Sequence, residues 1–196
     1  MDVNRDDLSS MDADTRRAAF LDLAVARGAL EFGDFALKSG RRSPYFFNAG
    51  AFDDARSMAA LGSAYAAAIV AAGFEFDALF GPAYKGIPLA VTTGVALARE
   101  HDVDCGIAYN RKEPKGHGEG GRVVGASLAG RVLLVDDVIT AGTAVREVLP
   151  LIEEAGGTLV AILTALDRRE RGRGAQSATK ELADELGVPV ASLVSL

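Results

Sequence analysis

The stretch Arg131-Val-Leu-Leu-Val-Asp-Asp-Val-Ile-Thr-Ala-Gly-Thr-Ala144 decides how the rest of this 196-residue chain is read. Val132 to Val135 is an apolar run rich in β-branched side chains, with Gly130 before it and two acids after it. That pattern predicts a central strand buried on both faces, as in a parallel sheet. The small-residue turn Thr140-Ala-Gly-Thr143 comes next, then a helical pattern with Val145, Val148, Leu149 and Ile152 on one face. Strand, turn and helix together offer an anion several backbone N–H groups and the positive end of a helix. Thr140 and Thr143 add hydroxyl donors, and Gly142 allows close approach. Asp136 and Asp137 cannot hold a phosphate themselves; beside one, they suit sugar hydroxyls or a bound Mg²⁺. An ordinary βα unit could share the polar turn, but two acids entering it from an apolar strand point to a sugar phosphate. No Gly-Lys-Ser/Thr ends the turn, which excludes a nucleoside triphosphatase loop.

Composition sets the frame around this stretch. The length suits one domain with a full core. Hydrophobic residues make up 49% and charged residues 24% of the chain, and no apolar run approaches the roughly 18 to 20 residues that span a membrane. The start, Met1-Asp-Val-Asn-Arg-Asp-Asp7, is acidic and polar, so no signal peptide is expected. The single Cys105 can make no internal disulfide, and a cytoplasmic location is the simple expectation. A net charge of −6 argues against a nucleic-acid surface, so any anionic ligand must be drawn by local basic clusters.

Residues 1–11 form a polar leader, after which a helix is expected from Asp12 or Asp14 to near Gly28. Residues 29–50 change character: Leu30, Phe32, Phe35 and Leu37 precede the basic turn Lys38-Ser-Gly-Arg-Arg-Ser-Pro44, and Tyr45, Phe46 and Phe47 follow it. This predicts a hairpin outside the main sheet, either a plain hydrophobic cluster or a hood in which Phe46 and Phe47 flank a flat heterocycle while Lys38 faces a ligand anion. A helix is expected over Asp53 to Gly73, with Met58, Leu61, Tyr65, Ile69 and Val70 buried. Asp77 to Gly81 reads as a strand, and Leu89 to Arg99 as the helix after it. Between them Pro82-Ala-Tyr-Lys-Gly-Ile-Pro88 is a second turn at a strand's carboxyl end, where open α/β sheets bind ligands; Lys85 there is a candidate pyrophosphate contact. Gly106 to Tyr109 is the next strand.

Residues 110–121, Asn-Arg-Lys-Glu-Pro-Lys-Gly-His-Gly-Glu-Gly-Gly, contain no apolar residue and four glycines. A disordered surface loop would look similar. Between two strands of a sugar-phosphate-binding sheet, the segment reads instead as a mobile lid whose Arg111, Lys112, Lys115 and His117 order over an anionic ligand. Further on, Thr158 to Leu166 is a strand with Asp167-Arg-Arg-Glu-Arg-Gly-Arg-Gly174 at its carboxyl end, so at least one arginine can face the site. A helix over Ser177 to Leu186 and a strand over Val188 to Leu196 complete one domain, 1–196.

Val135-Asp-Asp-Val-Ile-Thr-Ala-Gly-Thr143 resembles the signature of the type I phosphoribosyltransferases, which bind phosphoribosyl pyrophosphate (PRPP). Lys38-Ser-Gly, Ser43-Pro-Tyr-Phe-Phe-Asn48, Gly81-Pro-Ala-Tyr-Lys-Gly86 and Arg111-Lys-Glu-x-Lys-Gly-His-Gly118 are together similar to the orotate phosphoribosyltransferase family. The resemblance implies an α/β fold of the type I class: a central parallel sheet with flanking helices, plus a small N-terminal hood. It implies transfer of ribose 5-phosphate from PRPP to orotate, with Mg²⁺ carried mainly by PRPP and no direct protein ligand to the metal. By the same resemblance, Phe46, Phe47, Thr140 and Arg168 meet orotate. PRPP falls to Lys38, Tyr84, Lys85, Arg111, Lys112, Lys115 and His117, and to Asp136, Asp137, Val138, Ile139, Thr140, Ala141, Gly142, Thr143 and Ala144. Lys115, His117, Asp136 and Asp137 are the catalytic candidates. The lid completes the neighbouring subunit's site in that family, which implies a homodimer, without nucleic acid or membrane as partner. A purine transferase, a PRPP-sensing regulator and an inactive structural subunit are the alternatives; the Phe46-Phe47 hairpin, the lysine-histidine lid and the intact set of site residues disfavour them in turn.

Overall fold

The structure is a computed structural model that describes residues 11–36, 42–113, 121–172 and 174–196. Its main sheet holds β3 (Ala78–Gly81), β4 (Gly106–Asn110), β5 (Val123–Gly125), β6 (Gly130–Val138), β7 (Gly157–Asp167) and β8 (Val190–Ser195), in the order β5-β4-β3-β6-β7-β8. Neighbours run parallel except for β4 and β5. The hairpin β1 (Leu30–Ala36) and β2 (Arg42–Phe47) forms its own antiparallel pair, as its sequence predicts. Helices α1 (Ala13–Ala26), α2 (Ala55–Ala72), α3 (Gly86–Glu100), α4 (Thr143–Glu154) and α5 (Ala178–Leu186) flank the main sheet.

Strand β6 shows why its run is apolar on every residue. Leu133 and Val135 face one core with Leu61 and Tyr65 of α2, Leu89 of α3, and Phe47 and Phe52. Val132 and Leu134 face the other, with Val145, Val148 and Ile152 of α4 and Leu182 of α5. All four strand residues are fully buried, so period-two alternation has no polar face to show.

Four expectations need correction. The central strand runs on to Val138 and takes both acids into the sheet. Val70 lies 45% exposed, because Leu61, Tyr65 and Ile69 repeat every four residues along the buried stripe and the next residue turns about 100° away. Helix α3 starts at Gly86, with Pro88 in its first turn, where a missing N–H breaks no helix bond. By length and composition alone α2 is apolar enough to cross a membrane, although the sequence reading admits no such run. Its Leu61, Tyr65 and Ile69 stripe is buried in the protein core instead. The leader over 1–10 and the hairpin turn over 37–41 lie outside the described residues.

The topology singles out one crevice. From β3 the chain crosses to β4 on one side, and from β6 it crosses to β7 and β8 on the other. The carboxyl ends of the adjacent strands β3 and β6 therefore flank a switch point, where such sheets bind ligands.

Candidate active site

Each side of this crevice ends in a helix whose first N–H groups have no side-chain cap. Asp12, Asp54 and Ser177 cap α1, α2 and α5 by accepting from the first free N–H groups. At α3 and α4 the cap positions are Lys85 and Gly142, and neither supplies a cap hydrogen bond. Among the described residues, the two helices that begin at the crevice are thus the two that leave these donors open, which suits anions. Glycine is required at both turns. Gly142 sits at φ +70°, and a Cβ on Gly81 would lie 2.0 Å from the Gly86 carbonyl oxygen, so the chain can fold this tightly onto α3 only without a side chain.

Lys85 spans the crevice. Its Nζ donates to Asp137 Oδ2 at 2.9 Å and to Asn48 Oδ1 at 3.4 Å, joining the turn after β3 to β6 and to the end of the hood. The turn that carries Lys85 contains a cis Ala83–Tyr84 peptide and is held from β4, where buried Asn110 accepts from Ala83 N–H at 2.8 Å. Tyr84 is 68% exposed, and Lys112 Nζ lies 5.1 Å from its ring centroid. Arg111 N–H donates to Arg122 O at 2.7 Å, so Arg111 and Arg122 continue the β4–β5 ladder. Lys38, Lys115 and His117 lie outside the described residues.

Asp136 and Asp137 are both buried, on opposite faces of β6. Asp137 faces Lys85, and its Oδ1 accepts from Val138 N–H at 2.9 Å. Asp136 Oδ1 accepts from Asp137 N–H at 2.9 Å. Burial first and the Asp137 charge second push the Asp136 carboxyl up to about 7. Beneath them, fully buried Tyr65 donates its hydroxyl to Asp136 O at 2.7 Å, and its own ionisation is pushed well up by burial. After Val138, Ile139 anchors in the core at 5% exposed, so only its backbone can meet a ligand. Thr140, Ala141, Thr143 and Ala144 are exposed around Gly142. Arg146 braces this turn by donating to Ala141 O while pairing with Glu185 of α5.

On the far side of β6, the hairpin β1–β2 lies over the end of β7. Tyr45 donates its hydroxyl to Arg168 O at 3.0 Å, and its ring centroid is 5.6 Å from the Arg168 guanidinium carbon. Phe46 keeps 41% of its surface exposed and packs on Phe35, with 5.6 Å between ring centroids. Phe47 is 5% exposed and packs in the core near Phe52, because adjacent strand residues face opposite ways. The two rings therefore do not present a matched pair of free faces. Asn48, Asn110, Tyr45 and Tyr65 are not among the site residues expected from the sequence. A polar residue ending an apolar strand, as in Ile107-Ala-Tyr-Asn110, is the one local signal among them.

Comparison with known proteins agrees with this geometry. Residues 48–191 match the phosphoribosyl transferase domain family. The chain is 59% identical over 182 residues to an orotate phosphoribosyltransferase of Chromohalobacter salexigens, covering 90% of this chain and 78% of that one. It is 58% identical over 177 residues to one from Pseudomonas aeruginosa, covering 90% and 83%. A crystal structure of the Francisella tularensis orotate phosphoribosyltransferase superposes with a TM-score of 0.82 at 38% identity, covering 90% of this chain and 85% of the other. Such enzymes transfer ribose 5-phosphate from PRPP to orotate, giving orotidine 5′-monophosphate and pyrophosphate in pyrimidine synthesis. Uncapped helix ends over a strand switch point, with two acids between them, are what that substrate pair calls for, and this chain belongs to the orotate phosphoribosyltransferase family.

Proposed function

We propose that residues 1–196 act as one phosphoribosyltransferase domain whose reaction is carried out across the β3–β6 crevice. The observation that carries this reading is that α3 and α4, both uncapped, start at the carboxyl ends of the neighbouring strands β3 and β6, where the Lys85–Asp137 contact joins the two strand ends. The 5′-phosphate takes the exposed turn Thr140 to Ala144, held by the N–H groups opening α4 and by the Thr140 and Thr143 hydroxyls, with Val138 and Ile139 contributing backbone only. Pyrophosphate takes the start of α3 with Tyr84, Lys85, Arg111 and Lys112; Lys38, Lys115 and His117 complete that side. Asp136 and Asp137 lie along the ribose between the two.

In the reaction the bond from ribose C1 to the pyrophosphate oxygen breaks, and orotate N1 forms the new bond as its N1 proton is lost, to the departing pyrophosphate or to solvent. Positive charge builds on the sugar ring as this happens. Asp137 favours that charge electrostatically, and ligand entry draws Lys85 from Asp137 towards the leaving group. Lys115 stabilises or protonates the departing pyrophosphate, aided by His117. The lid over 110–121 closes first, because water would consume the cation.

The residues fit Mg²⁺ as an ion brought by PRPP. Asp137, whose carboxylate faces the crevice beside Lys85, is the oxygen donor nearest to such an ion, while Asp136 lies on the other face of β6. The ion would be held mainly by substrate oxygens and water, with Asp137 close enough to orient that water. When bound, it neutralises charge on the departing pyrophosphate.

A homodimer is supported by α3. Tyr84, Pro88, Val91, Val95 and Ala98 recur at steps of three and four residues and are all exposed, with Val91 at 43% and Val95 at 48%. Such an apolar stripe beside the site suits a second copy, whose lid would reach across. A cytoplasmic setting fits the single Cys105, whose thiol is pushed up to about 11, chiefly by burial. On the base side Phe46 offers a ring face and Arg168 reads the orotate carboxylate. A spectrophotometric assay of orotate consumption with PRPP and Mg²⁺ tests this assignment. Arg168→Ala should raise the KM for orotate far more than that for PRPP, and uracil should be a poor substrate of the native protein. Efficient use of uracil would refute the base assignment and leave the fold untouched.

A further inference from the structure

Arg168 already has a carboxylate beside it. Its side chain is 8% exposed and that of Glu170 17%, and Arg168 Nη2 lies 2.8 Å from Glu170 Oε1. The approach is short but not aligned: Arg168 Nε and Nη2 and Glu170 Oε1 are buried and make no hydrogen bond with proper geometry. A guanidinium pairs best with a carboxylate edge-on, through two parallel N–H···O bonds. Here Glu170 neutralises the charge and leaves the donors unused. Such an arrangement is costly as a permanent fixture, since buried polar groups are rarely left without partners.

The surroundings hold the Arg168 and Glu170 backbones. The Tyr45 hydroxyl fixes the Arg168 carbonyl and the Tyr45 ring lies beside the guanidinium. The Glu170 carbonyl accepts from Ala178 N–H at 2.9 Å, so its backbone is tied to the start of α5. A rotamer change at Glu170 alone would free Arg168 without moving the loop.

We propose that Glu170 is a built-in stand-in for the substrate carboxylate, occupying Arg168 in the empty site and giving way when a carboxylate-bearing pyrimidine binds. This rests on the reading that Arg168 receives the orotate carboxylate. The exchange makes Glu170 a specificity-determining residue. An anionic base replaces an unaligned pair with an aligned one, whereas a neutral base offers nothing to displace Glu170 and leaves the arginine engaged. Selectivity for a carboxylate then comes from competition inside the protein as well as from attraction.

The test compares Glu170→Gln, Glu170→Asp, Arg168→Ala and the Glu170→Gln/Arg168→Ala double variant, measuring KM for orotate and for PRPP, kcat, and the rise in Tm caused by orotate. Removing the competitor's charge in Glu170→Gln should lower the orotate KM about tenfold, the worth of one hydrogen bond to a charged group, with the PRPP KM unchanged. Glu170→Asp, which keeps the charge but retracts it, should move the orotate KM the same way by less. Orotate should raise the Tm of Glu170→Gln more than that of the native protein, because it then supplies the only carboxylate to a buried arginine. In the Arg168→Ala background the Gln substitution should have no effect on orotate. A raised orotate KM in Glu170→Gln would show that Glu170 holds Arg168 in place instead of competing for it, and an unchanged one would make it a bystander; either overturns the proposal. An unchanged orotate KM in Arg168→Ala would instead overturn the base assignment beneath it.

Discussion

Asp136 is the group whose surroundings conflict most with its charge, and replacing it by asparagine should stabilise the ligand-free protein in a pH-dependent way. The folded carboxyl is held near 7 against 3.8 when free, first by burial and then by the Asp137 charge, with the Asp137 N–H and Lys85 pulling back only in part. The folded state therefore keeps a proton that the unfolded chain gives up as the pH rises above 3.8. Stability from this group is full below that value, is lost progressively as the pH rises to about 7, and changes no further above it. At 1.36 kcal/mol per pH unit the whole interval is worth at most ~4 kcal/mol. Local relaxation and partial hydration should leave about half, or roughly 2 kcal/mol. Asp136→Asn keeps the shape and the acceptor for Asp137 N–H while removing the charge. Urea unfolding of both proteins at pH 4, 6 and 8 should show near-equal stability at the lowest pH. At pH 8 the variant should lead by about 2 kcal/mol, a Tm gain of ~4–8 °C for a chain of this size. Turnover should fall at the same time if, as proposed, this charge lies along the ribose. A stability difference that is constant with pH, or a variant less stable at pH 8, would refute the claim that burial and Asp137 dominate this carboxyl.

Other substitutions probe the turn and the lid. Gly81→Ala places a methyl group 2.0 Å from the Gly86 carbonyl oxygen, so the turn carrying Lys85 must shift; a loss of about 3 kcal/mol in stability and weakened PRPP binding are expected, and native values for both would contradict the close-approach argument. Asp137→Asn removes the charge that faces Lys85 and is proposed to face the ribose, and should lower kcat about a hundred- to thousandfold. An undiminished rate would exclude this carboxylate from the site. Mixing that variant with Lys115→Ala tests whether lids are shared. Random exchange of equal amounts makes about half the dimers mixed, each with one sound site, so activity should return to about a quarter of the native level. With subunit exchange shown by co-purification, activity that stays at the parents' level would mean that each lid serves its own chain.

Much of what depends on neighbours in sequence was legible before folding, although the end of β6, the start of α3 and the short strand β5 were not. An apolar run marks β6, small residues mark the turn after it, and a 3.6-residue period marks α4, because strand and helix are local consequences of side-chain spacing. The aromatic hairpin is equally local. Long-range partnership was not legible. Lys85 meets Asp137 across 52 positions and Tyr45 meets Arg168 across 123, and nothing near any of the four names its partner. Parallel crossovers bring those strand ends together, so only the assembled sheet decides which side chains share a crevice. Burial belongs to the same class. Phe46 and Phe47 are identical in type and adjacent in sequence, yet one keeps a free face and the other fills the core. The Asp136 carboxyl is displaced by the helices and sheet that cover it, a property of its cover and of no residue beside it in the chain except Asp137.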